Sequence, residues 1–146
     1  MTYKHTQIGW LMLAFFVGVA ILFQFLPAPR SSPPVAFPIF VFVALAIAFL
    51  MGTLTVEVDD AQVRLRFGVG MVRKHFRLDE IASCRQVRNK WWWGWGIRLI
   101  PSGWLYNVSG LDAVELVLKN GKVFRIGTDE PQVLSDFIQL KLGLLP

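Results

Sequence analysis

With 146 residues, 54% of them hydrophobic, and a formal net charge of +5, the chain has room for one small domain beside a large apolar segment. Its single cysteine, Cys84, excludes an internal disulfide framework and a cysteine-built metal cluster. The charge is unevenly placed, since all 10 acidic residues and most of the 15 basic ones lie beyond residue 56.

Between Ile8 and Leu54 the only charged side chain is Arg30. Two apolar runs, Ile8–Leu26 and Val35–Leu54, predict helices over about 8–26 and 37–54. At ~1.5 Å rise per residue each has the length to cross, or nearly cross, a ~30 Å hydrocarbon core. Pro38 suits a first helical turn, where the missing N–H has no partner to lose. The proline-rich segment Pro27–Pro34 predicts a tight reversal and therefore an antiparallel hairpin. Ala44, Ala48 and Gly52 recur every four residues in the second helix, and Ala14 and Gly18 do so in the first, a spacing that lets two backbones approach closely. On this reading residues 1–54 are a transmembrane hairpin. Lys4 before it and Arg64, Arg66, Arg73 and Lys74 after it place both termini in the cytoplasm, which makes the chain an integral, two-span protein of the cell (inner) membrane.

From Thr53 onward continuous apolarity gives way to alternation, the pattern of strands with one buried face. Strands are predicted over 53–58 and 62–67, joined through Asp59-Asp60, then over 71–78, 81–88, 96–100 and 104–108. The clearest hairpin joins 113–119 to 122–127 through Asn120-Gly121, a preferred two-residue turn. A final helix starts near Thr128 or Asp129 and carries Val133, Leu134, Phe137 and Ile138 on one face. Residues 55–146 thus read as seven or eight short antiparallel strands in a partly open barrel, with the helix capping one end.

The segments Gly94-Trp-Gly-Ile-Arg98, Tyr106-Asn-Val-Ser-Gly110, Ala113-Val-Glu-Leu116, Asn120-Gly121 and Arg125-Ile-Gly-Thr-Asp129 resemble the bacterial pleckstrin-homology-like (PH-like) domain of small membrane proteins. The resemblance spans about residues 55–142. It implies a non-enzymatic platform of seven strands and a capping helix, used for binding or assembly. Phosphoinositide-binding relatives of that fold gather basic residues around the turn between the first two strands. This chain has Asp59 and Asp60 there, so no inositol-phosphate site is carried over.

Two surface features remain. Alternation places Arg64, Arg66, Arg73, His75 and Arg77 on one face of neighbouring strands, where like charges repel. That face reads either as an ordinary solvated exterior or as a contact for an acidic protein or anionic lipid headgroups. The second feature is Trp91-Trp-Trp-Gly-Trp95 with Arg88 and Lys90 beside it. In a strand these rings cannot all face one core, so at least one is expected to meet a membrane or partner, against the alternative that all pack internally. His5 and His75 have no ligand companions in sequence, and Asp59-Asp60 and Asp79-Glu80 read as turn residues. No catalytic, cofactor or metal site is expected. The function predicted is a non-enzymatic, membrane-anchored interaction or assembly module whose barrel binds a protein partner, itself or anionic headgroups. The alternative is an accessory subunit of a membrane transport or channel assembly.

Overall fold

The computed structural model describes residues 1–25 and 35–144. Strands β1 (Tyr3–Ile8), β2 (Thr53–Val58), β3 (Gln62–Phe67) and β4 (Val72–Arg77) form a four-stranded antiparallel sheet in that order. A second, five-stranded sheet is built from β5 (Ile81–Arg88), β6 (Gly96–Ile100), β7 (Gly103–Asn107), β8 (Asp112–Leu118) and β9 (Val123–Gly127) in the spatial order β5-β8-β9-β7-β6. Helices α1 (Trp10–Phe25) and α2 (Ala36–Met51) lie between β1 and β2 in the chain, and α3 (Pro131–Lys141) ends it.

Period-two patterning decides what faces inward. In β3 the buried Val63, Leu65 and Phe67 alternate with the exposed Arg64 and Arg66. Leu54, Val56 and Val58 of β2 share their layer. They meet Val114, Leu116, Phe124 and Ile126 of the second sheet in one core, where Phe76 and Phe124 stack with centroids 4.7 Å apart. Burying each such side chain is worth ~1.5–3 kcal/mol. Leu134 and Ile138 of α3 close the core beside β5 and β8. Val133, expected on the same helix face, is exposed instead.

Among the described residues eight strands, β2–β9, fall where seven or eight were expected, a ninth, β1, joins them from before the helices, and they are not all antiparallel. β1 was hidden because its short alternation runs directly into the apolar segment. β7 pairs parallel to β9, because β8 takes the opposite flank of β9 and leaves the near flank to the β6–β7 hairpin. Asn120-Gly121 turns β8 onto β9 through a three-residue loop, 119–121, not the two-residue turn expected. The Leu118 N–H donates to the Lys122 carbonyl and the Gly121 N–H to the Leu118 carbonyl, both at 2.9 Å, and of the loop residues Gly121 alone has a positive φ, +83°.

The expectation of two membrane spans is overturned. Among the described residues no helix is long and apolar enough to cross a membrane. α1 and α2 have 16 residues each, which at ~1.5 Å per residue gives ~24 Å against a ~30 Å hydrocarbon core. The apolar runs are longer than the helices because sheet and helix share them. Ile8 ends β1, while Thr53 and Leu54 already belong to β2, where Leu54 is fully buried in the core. The integral-membrane partnership, the inner-membrane localisation and the topology with cytoplasmic termini rested on those spans and fall with them. The Pro27–Pro34 reversal, with Arg30, lies outside the described residues.

The hairpin grows directly out of the first sheet. Ile8 pairs with Thr53, and the Gly9 N–H donates to the Gly52 carbonyl at 2.7 Å. Gly68, at φ +51°, has the Leu50 carbonyl oxygen 2.1 Å from where a Cβ would stand, so only glycine lets the β3–β4 turn press against the end of α2. The helices run antiparallel. Leu13 approaches Gly52, whereas Phe23 stacks on Phe40 at 4.8 Å.

Candidate functional site

The basic face forms on the outside of the first sheet. Register sets Arg64 opposite His75, Arg66 opposite Arg73, and Gln62 opposite Arg77, so all five basic side chains share one face. Some have counter-charges. Arg64 pairs with Asp59, Arg77 with Asp79, and Lys4 of β1 with Glu57 at 2.9 Å. Asp59 also accepts the Ala61 and Gln62 N–H groups at 2.8 Å, which closes the β2–β3 turn. The Arg64 hydrogen bond and those two N–H groups hold its carboxyl down at about 2. Arg73 donates to the Gly70 carbonyl at 2.6 Å and to no carboxylate among the described residues. Arg66 and His75 have no carboxylate partner among the described residues.

The tryptophan segment is not a strand. Trp91–Trp93 form a single 3-10 turn, ended by Gly94 at φ +66°. Trp91 and Trp92 are exposed, at 73% and 60%, and contact each other edge to face at 5.8 Å. Trp93 is half-buried between two cations, the Arg125 guanidinium 5.2 Å and the Lys90 ammonium 5.9 Å from its ring. Trp95 is half-buried, and its carbonyl accepts from Arg98 at 2.9 Å. Arg88 is exposed and faces Asp112 across the β5–β8 pair.

Beneath Trp93 lies a group that sequence reading missed. Glu115, in the middle of β8, is 2% exposed and accepts from Arg85 at 2.8 Å and from Arg125 at 2.7 Å. Arg125 also reaches the Asn89 side chain at 3.3 Å. Burial pushes the Glu115 carboxyl up, but the two arginines outweigh it and hold it below the usual carboxylate range. Its signal in the sequence was a lone acid in the otherwise apolar strand Ala113-Val-Glu-Leu-Val-Leu118.

Within the hairpin, Ala44, Ala48 and Gly52 are buried. Ala14 and Gly18 are exposed, and a Cβ on Gly18 would meet nothing within 4 Å. On α1 it is Leu13 that approaches Gly52 and Phe23 that meets Phe40, while Phe16 and Ala20 line a cleft with Phe37, Val41 and Ala44 of α2. The hairpin's outer surface is apolar, with Phe15, Phe42 and Phe49 exposed at 61%, 74% and 68%.

Other reactive groups are engaged. Cys84 is buried, its thiol donates to the Ser135 hydroxyl, and burial pushes it up to about 11, which makes it a poor nucleophile. His5 lies 2.7 Å from Asp129 and 3.3 Å from Glu130, tying β1 to the start of α3. Beside it Tyr3 donates to Glu130, and burial raises the Tyr3 phenol. Among the described residues no three His, Cys, Asp or Glu side chains are arranged to hold a metal ion.

A scan against protein-family models matches none, and a search of curated proteins likewise finds no match.

Proposed function

We propose that the chain is a non-enzymatic assembly module that associates with a second copy of itself through its helical hairpin. The observation that carries this reading is a pair of 16-residue helices that bear no charged side chain and are covered on one face only. A helix apolar on all sides is stable only when all sides are covered. The hairpin buries Ala44 and Ala48, half-covers Phe37 and Val41, and leaves Phe15, Phe42 and Phe49 outside. A second hairpin of the same length and chemistry completes a four-helix bundle around those rings. The hairpin has no charge pattern to select an unlike partner, so a second copy is the simplest match. The resemblance to PH-like domains, which serve as platforms, points the same way.

The test is the mass of the full chain, kept dispersed in a mild non-ionic detergent, by light scattering across a concentration series. A dimer or larger assembly is expected. Phe42→Asn together with Phe49→Asn should shift it toward the monomer while leaving the β-sheet circular dichroism unchanged. A monomer at every concentration overturns self-association and turns the search to unlike partners.

A further inference from the structure

The first sheet has a free basic edge, and we propose that β4 takes up an extended acidic peptide of another protein as a fifth strand. This surface is separate from the hairpin and stands without it. The other strand edges differ from it. α3 lies along β5, where Gln139 donates to the Cys84 carbonyl at 2.9 Å, and the edge strand β6 carries a single basic residue, Arg98, which donates to the Trp95 carbonyl. Tyr3 and His5 of β1 are tied to Asp129 and Glu130. Among the described residues the backbone of β4 pairs with β3 alone, and Arg73, Lys74, His75 and Arg77 are exposed.

The chemistry of the occupant follows from the two faces that an added strand would continue. Its outward side chains would lie beside Arg73, His75 and Arg77; Asp79 answers Arg77, but Arg73, with the like-charged Arg66 directly behind it, has no carboxylate partner among the described residues. Carboxylates there relieve a repulsion that the fold leaves standing. Its inward side chains would lie in the open corner between the sheets. There Lys74 extends over Phe124 at 5.6 Å, and Trp104, next to Phe124 in register, is 43% exposed with Leu99 beside it at 71%. The fitting peptide therefore alternates acidic and apolar residues. The same charges disfavour pairing of β4 with β4 of another copy, since each edge would bring four basic side chains to the other.

The test uses the full chain and a labelled six-residue probe, matched to the six residues of β4, that alternates Glu and Val with blocked ends. Fluorescence anisotropy should show saturable binding that weakens with salt, and a Lys-Val probe should not bind. Two further Glu-Val probes, N-methylated at odd or at even positions, keep every charge but remove alternate backbone donors. An edge-paired strand loses about tenfold or more in affinity with one parity only, because only alternate N–H groups face the neighbour. Arg73→Glu, at an exposed position, should weaken the unmethylated probe by at least about tenfold. No saturable binding overturns the proposal. Equal affinity of the two methylated probes also overturns it, as the contact would then be charge alone. The methylation result needs only the unmodified protein, so a poorly folding variant does not affect it.

Discussion

On the outside of the second sheet Arg85 and Arg125 converge on Glu115, and the half-buried Trp93 lies over Arg125. On the outside of the first sheet Arg66 and Arg73 face each other across β3 and β4 with no carboxylate between them. Both faces are cationic, yet the second sheet answers its charge with a buried acid under cover, while the first answers Arg64 and Arg77 from its turns and leaves the Arg66–Arg73 pair to solvent. A buried acid between two bases is a structural device, because removing one partner strands the other in a low dielectric. An exposed like-charged pair adds nothing to stability, so its presence points outward, to what the surface meets.

The strongest way to break this contrast is Glu115→Ala. It leaves Arg125, with 13% side-chain exposure, unpaired, and should destabilise the fold by ~3–5 kcal/mol in urea unfolding. The matched change on the other face, Arg66→Ala, should stay within ~0.5 kcal/mol of the parent. Equal losses at the two sites would remove the distinction. A smaller effect is expected in the tryptophan segment. Trp93→Ala should cost ~1–2 kcal/mol through its lost stacking on Arg125, whereas Trp91→Ala, at a 73% exposed ring, should be nearly neutral.

The mildest probe is pH. Glu115 and Asp59 are both held below their unfolded values, so the stability they add is present at neutral pH and is lost as pH falls through the carboxylate range. The urea midpoint should fall between about pH 5 and pH 2, and Glu115→Gln should flatten the part of that slope due to the second sheet. A midpoint unchanged over that range would mean that neither carboxylate is stabilised by folding.

Much of the first sheet was legible because period two is a local signal. Val63, Leu65 and Phe67 against Arg64 and Arg66 announce both the strand and its buried face. Asn120-Gly121 was legible as a turn, since glycine's backbone freedom is local, but its loop length, three residues instead of two, was not. The candidate surfaces were legible in part. The shared face of Arg64, Arg66, Arg73, His75 and Arg77 follows from alternation, but which of them have carboxylate partners depends on Asp59 and Asp79 in the turns. The role of Glu115 was not legible, because Arg85 and Arg125 reach it from two neighbouring strands.

The sequence by itself determined where the chain is apolar, where it alternates and where it turns, because these depend on side-chain period and on glycine and proline geometry. Tertiary structure alone decided where each apolar run stops being helix. Ile8 and Leu54 are as apolar as their helical neighbours, but strand pairing and burial claim them for the first sheet. It also decided which face of α1 meets α2, that β7 runs parallel to β9, and that Arg85 and Arg125 share a buried acid while Arg66 and Arg73 face each other without one. Each of these turns on contacts between segments far apart in the chain, and no local pattern encodes them.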